Sequence, residues 1–171
     1  MNILFLLMPK NTIAYVYGDN SLKQGLEKIR AHYYTAIPVL NRSGEYIGTV
    51  NEGDFLWHML DNNSFEIKKQ EEYTITDIMR ENWNAPVKIS ATIDDLLFKV
   101  MVQNFVPVID DRNLFVGIIT RKDVIKYYYD KGTYKQENYD FDKYKHENND
   151  LYKHKQGNND LDDFKQENIN G

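Results

Sequence analysis

The heptad Gly117-Ile118-Ile119-Thr120-Arg121-Lys122-Asp123 is the stretch of this 171-residue chain best suited to holding a small molecule. Thr120 offers a hydroxyl where a strand gives way to a helix, and free helix-start amides favour phosphate oxygens. Arg121 and Lys122 add positive charge, and the Asp123 carboxylate can accept two hydrogen bonds from a ribose diol. These groups suit a nucleotide. Thr120 and Asp123, three residues apart, also resemble a capping box with Asp where Glu is usual, so the pair equally suits a helix start, and both roles can hold together. Gly117 would let a ligand or a neighbouring strand come close.

Other chemistries have little to stand on. The four histidines, His32, His58, His146 and His154, show no metal-ligand spacing. There is no Gly-x-Ser-x-Gly elbow, no Gly-rich phosphate loop and no Gly-x-Gly-x-x-Gly. Asp94-Asp95 and Asp110-Asp111 fall at a helix start and a hairpin turn, where local structure explains them. Zero cysteines exclude disulfides, thiolate metal sites and cysteine nucleophiles. An enzyme is therefore not expected, and no metal. The formal charge of −5, with 15 basic and 17 acidic residues over 1–132, lacks the dense cationic face of a nucleic-acid binder. The apolar start Met1 to Met8 lacks a basic n-region and is interrupted by Pro9-Lys10. It reads as a segment for core or dimer packing rather than a leader or membrane span, and a cytoplasmic location is the default.

The heptad has a partner upstream. Ile37-Pro38-Val39 with Gly48 and Asp54 recurs as Val106-Pro107-Val108 with Gly117 and Asp123, and each of the three anchor pairs is 69 residues apart. Such recurrence points to a duplicated supersecondary unit. In the first copy, Thr12 to Tyr17 reads as a strand and Leu22, Leu26, Ile29 and Tyr33 as a helix capped by Asn20 or Ser21. A hairpin over Ala36–Leu40 and Tyr46–Val50 and a short helix after Asp54 complete the unit. The second copy repeats this order from Ala85 to Ile89, through a helix with Ile93, Leu96, Leu97, Val100 and Met101, to a closing helix from Asp123 onward. The divisions are 8–61 for the first repeat behind a packing segment 1–7, a linker over 62–77, and 78–131 for the second repeat. Residues 132–171 form a tail with a period of ten, such as Lys135-Gln136-Glu137-Asn138 and Lys165-Gln166-Glu167-Asn168. Few aliphatics are available there to offset the entropy of ordering, so disorder is expected, with helix as the alternative.

The pattern Gly-hydrophobic-x-Thr/Ser-x-x-Asp after a hydrophobic-Pro-Val strand, present twice, resembles a tandem of cystathionine-β-synthase-type (CBS) domains, a Bateman module, over about residues 8–131. The resemblance implies an α+β fold of two β-α-β-β-α repeats packed through their sheets with pseudo-two-fold symmetry, here followed by a low-complexity C-terminal tail. It implies two clefts that bind adenosyl ligands such as AMP, ADP, ATP, S-adenosylmethionine or cyclic di-AMP, a homodimer, and a sensor that signals to an effector protein without catalysis. The chain is also similar to stand-alone bacterial CBS proteins that respond to cyclic di-AMP. Carried over by residue, Thr120 would contact phosphate or ribose and Asp123 the ribose, with Arg121 and Lys122 beside them. The backbone at Val106 and Pro107 would meet the adenine edge, and Lys88 and Ile89 would lie near the base. Ile37, Pro38, Asn51 and Asp54 are the counterparts in the first copy. That copy departs from the pattern, because Asn51 replaces the hydroxyl residue and Glu52 puts a negative charge where the second copy has Arg121. Lys10 and Arg80 are candidates for phosphate partners across the cleft, with solvated surface charge as the alternative. The competing reading is a ligand-independent interaction module whose heptads only cap helices and whose tail recruits a partner.

Overall fold

The computed structural model describes residues 2–133. The decamer repeats, and with them the expectation of a disordered tail, lie outside the described residues. A short strand β1 (Met8–Pro9) precedes two copies of one unit. The first runs β2 (Val16–Tyr17), α1 (Leu22–His32), β3 (Ala36–Leu40), β4 (Tyr46–Asn51) and α2 (Glu52–Asp61). A 3-10 turn (Ile67–Glu71) and a short helix α3 (Ile75–Ile78) lead to the second unit. It runs β5 (Val87–Lys88), α4 (Ile93–Val100), β6 (Phe105–Ile109), β7 (Phe115–Thr120) and α5 (Arg121–Tyr128). Each opening strand is shorter than its β-rich run. Only Val16 and Tyr17 pair with β3, because the run leaves the sheet at Ile13, which packs instead between the two sheets.

Local chemistry sets the helix starts. Ser21 Oγ accepts from the Gln24 amide, and the Gln24 side chain accepts from the Ser21 amide, so two free donors of α1 are satisfied reciprocally. Thr92 and Asp95 do the same for α4, and those bonds hold the Asp95 carboxyl below its usual range. On their inner faces α1 buries Leu22, Gly25 and Ile29, while α4 buries Ile93, Leu96 and Val100. Fully burying a side chain of this kind contributes roughly 1.5–3 kcal/mol.

The strands form two sheets, ordered β2-β3-β4 and β1-β7-β6-β5, so the N-terminal strand belongs to the second repeat. Ile3 is fully buried in the second core, and Ile75, just ahead of the second repeat, is fully buried in the first. Each repeat is therefore completed by the segment that leads into the other one. Matching bridges mark the exchange, Asn2 to Thr92 and Thr74 to Ser21. Two glycines make room for it. A Cβ on Gly117 would strike the Met8 carbonyl oxygen, and one on Gly48 would strike the Met79 sulfur.

The hairpins meet at their turns about a pseudo-two-fold axis. The Phe115 amide donates to Gly44 O at 2.9 Å and the Tyr46 amide to Asn113 O at 3.4 Å, positions that differ by the same 69 residues. Behind this contact Ile13, Leu40 and Phe115 form a seam between the sheets, and the Tyr46 and Phe115 rings stack at 6.0 Å.

Candidate functional site

Strand alternation decides which residues reach the seam. In β3, Ile37 and Val39 enter the first core while Pro38 faces the other way. In β6 and β7, Val106, Val108 and Ile119 enter the second core, leaving Phe105, Ile118 and Thr120 toward the first repeat. Between them lies a cavity of about 250 Å³, walled by Ile13, Ala14, Tyr33, Tyr34, Thr35, Ala36 and Pro38 on one side and Asn104, Phe105, Ile118 and Thr120 on the other. Tyr33 caps α1 with a left-handed backbone (φ 53°), which turns the chain back so that the next residues reach this wall.

Thr120 carries out the capping role and also faces the cavity. Its Oγ1 accepts from the Asp123 amide at 3.1 Å and donates to Asp123 Oδ2 at 2.5 Å. Asp123 Oδ1 accepts no hydrogen bond among the described residues. Asp123 also lines an adjacent groove of about 530 Å³, together with Leu6, Leu7, Met8 and Lys126. The Thr120–Asp123 pair therefore stands where two concavities adjoin.

Most of the other carried-over residues point elsewhere. Lys88 donates to Asp110 O at 3.0 Å and Asn113 Oδ1 at 2.7 Å, which ties it to the β6–β7 turn. Ile89 packs against the second core, and Val106 is fully buried within it. Pro107 is buried outside the cavity wall. The sheet order explains this, because β5 lies at the edge farthest from β1 and β7, while the cavity is closed by the start of the first repeat. Arg121 Nε donates to Gln103 O at 3.2 Å, anchoring the guanidinium to the loop before β6. Lys122 is exposed and lines neither concavity. Lys10 sits over the Tyr15 ring, 5.2 Å from its centroid. The cavity residues that the sequence reading does not nominate for the site are Ile13, Ala14, Tyr33 to Ala36, Asn104, Phe105 and Ile118. Their signal was the duplication itself, since a two-fold pair sets the heptad of one copy against the opening run of the other.

The first copy's heptad lies in different surroundings. Asn51 and Asp54 cap α2 reciprocally, with Asp54 Oδ2 accepting from the Asn51 amide at 2.8 Å. Asp54 Oδ1 pairs with Arg80 Nε at 2.9 Å, and the Asp54 side chain is only 5% exposed. The Arg80 guanidinium in turn lies 4.0 Å from the Trp83 ring centroid. Glu52, expected to repel phosphate there, instead lines a groove between α1 and α2 with Arg30 and Tyr33. What sets this copy apart is an arginine on its aspartate, not an acid beside it. Deeper in the seam, the Tyr46 hydroxyl meets Thr49 Oγ1 and Asn84 O, each at 2.8 Å, and Asn84 Nδ2 donates to Thr49 Oγ1 at 3.1 Å. Burial pushes the Tyr46 phenol up to about 12. Gln103 Nε2 donates to Ala85 O at 3.2 Å, while its Oε1 is buried without a partner.

Among the described residues there is no group of His, Cys, Asp or Glu able to hold a metal ion, and no helix long and apolar enough to cross a membrane. A family model for the CBS domain matches the chain twice, at residues 7–61 and 74–130. The chain is 29% identical over 126 residues to cyclic di-AMP receptor B of Bacillus subtilis, covering 70% of this chain and 81% of that protein. It is 27% identical over 140 residues to an uncharacterized protein of Methanocaldococcus jannaschii, covering 65% of this chain and 83% of that one. Among solved structures, Listeria monocytogenes CbpB in complex with c-di-AMP superposes with a TM-score of 0.67 at 22% identity, covering 75% of this chain and 96% of that one. CBSX2 in complex with AMP superposes with a TM-score of 0.62 at 21% identity, covering 77% and 98%.

Proposed function

Because the chain belongs to the CBS domain family, with two copies that together span most of the described residues, we propose that it is a non-catalytic CBS pair that binds an adenosyl ligand at Thr120 and Asp123 and signals to a partner protein. AMP, ADP, ATP and cyclic di-AMP are the ligand candidates. The observation that carries this reading is the cavity between the repeats, with the Thr120 hydroxyl on one wall and Ile13, Ala14 and Tyr33 to Pro38 on the other. Relatives named for cyclic di-AMP or solved with AMP support the ligand class. A ribose on the open oxygen of Asp123 would leave the base among apolar side chains and the phosphates near the start of α5.

Because both repeats supply walls, a bound ligand favours one relative orientation of the two. Only a difference in affinity between orientations can move that equilibrium. The output passes to an effector protein, and the location is cytoplasmic. Leu56, Trp57 and Leu60 on α2, and Phe98, Met101 and Val102 at the end of α4, are exposed apolar side chains that a homodimer would cover.

Thermal-shift screening with AMP, ADP, ATP and cyclic di-AMP tests the reading. A ligand at about 100 times its dissociation constant should add about 2.7 kcal/mol of stability. Absence of any shift at millimolar ligand would rule out the adenosyl assignment.

A further inference from the structure

We infer that Arg80 closes the Asp54 cleft from within, so that each chain holds one nucleotide rather than two. This rests on the adenosyl reading of the Thr120–Asp123 cleft and adds the number of ligands and the residue that sets it. The two clefts have corresponding parts, and both carboxylate oxygens of Asp54 and the carbonyl oxygen of Ala85 are already taken by the chain.

The carboxylate shows the contrast most directly. Asp123 keeps one oxygen open, whereas Asp54 gives Oδ2 to the Asn51 amide and Oδ1 to Arg80. A ribose diol needs two acceptor sites on that group, and displacing Arg80 would leave a nearly buried carboxylate to be matched by neutral hydroxyls, which are weaker partners than a guanidinium. Arg80 is also held by its stacking on Trp83. Among the described residues the other cleft has no such arm. Met8 lies against Gly117 as Met79 lies against Gly48, so the counterpart of Arg80 is Pro9, which has no charge to offer.

Polar groups on the base-facing side are taken as well. Ala14 lines the open cavity, but its counterpart Ala85 already gives its carbonyl oxygen to the Gln103 amide. Ile13 and Ile118 wall the open cavity, while Asn84 and Thr49 in the same places are bonded to each other. Opening the Asp54 cleft therefore means breaking an ion pair and an amide contact, and Arg80, half exposed, is the member of this set that lies at the surface.

Calorimetric titration of the full chain with AMP and with cyclic di-AMP tests the inference. The wild type should bind one ligand per chain, and Arg80→Ala should bind two, or one plus a weaker second. Arg80→Gln, which keeps most of the side chain's bulk but not its charge, should behave alike and guards against a folding defect. Asp123→Ala should abolish binding in the wild type and leave one site in the Arg80→Ala background. Two sites in the wild type, or one site in both Arg80 variants, would overturn the inference while leaving the Thr120–Asp123 reading intact. Binding by the Arg80 variants alone would bear out Arg80 as the closing residue but overturn both the count of one site per chain and the Thr120–Asp123 reading. Silence from all proteins would sink both.

Discussion

At the seam between the sheets, Tyr46, Thr49 and Asn84 stand where Phe115, Ile118 and Ile13 stand across the pseudo-two-fold axis. The first trio is a hydrogen-bonded network, whereas Ile118 and Ile13 of the second wall an open cavity beside Thr120. One duplicated backbone thus carries two unlike clefts. A satisfied buried network rigidifies its surroundings, because each member left unpaired would cost on the order of 1–3 kcal/mol. An apolar wall imposes no such demand and leaves room for a guest. Duplication allowed one copy of the cleft to become part of the framework that shapes the other.

Substitutions at paired positions can break this comparison. The largest effect is expected at the crossing points. Gly117→Ala sets a methyl against the Met8 backbone, which cannot retreat without opening the β1–β7 pairing, so a loss of about 3 kcal/mol is expected. Gly48→Ala meets only the flexible Met79 side chain and should cost about 1 kcal/mol. Equal costs in urea unfolding would show that the two crossings are mechanically alike.

The aspartates come next. Asp123→Ala should weaken nucleotide binding by at least about tenfold with little change in stability beyond a lost cap of about 1 kcal/mol. Asp54→Ala should do the reverse, costing about 2 kcal/mol in thermal unfolding and leaving affinity at Thr120 within about twofold, because Arg80 and the α2 cap lose their partner. A tenfold loss from Asp54→Ala would mean that its cleft holds the ligand after all.

The smallest effect is expected at Tyr46. Tyr46→Phe, which makes the two sides of the seam alike, should cost about 1 kcal/mol near neutrality. Its pH dependence is sharper. The buried phenol keeps its proton up to about 12, whereas an unfolded tyrosine releases it near 10. Tyr46 therefore contributes its full stability below pH 10 and loses it as pH rises through 12. Tyr46→Phe should flatten this alkaline loss, and an unchanged profile from pH 9 to 12 would remove the phenol from that role.

The repeats were legible because hydrophobic period and turn residues are local. Leu22, Leu26 and Ile29 mark α1, and Ile37-Pro38-Val39 and Val106-Pro107-Val108 mark strands, without reference to anything distant. Thr120 and Pro38 could be nominated for the same reason. The rest of the cavity was not legible, because it depends on which copy faces which. Val106, Lys88 and Ile89 lie in the same copy as the heptad of Thr120, while the two-fold sets that heptad against Ile13, Ala14 and Thr35 of the other. The placements of Glu52 and Arg80 were likewise not legible. A charge one residue from a motif is visible in the sequence, but a helix turns it away, and the arginine that reaches Asp54 comes from 26 residues downstream.

The exchanged leading segments also bear on how the chain is made. Residues 2 to 9 cannot find their sheet until residues 115 to 120 exist, so this segment waits for a partner made more than a hundred residues later. Until then Ile3, Leu6 and Leu7 lack the second core they pack into, while the first repeat needs only the chain up to Met79 to close its core. The two halves therefore mature in a fixed sequence, and the repeat that carries Thr120 is completed by a segment that lies ahead of both repeats.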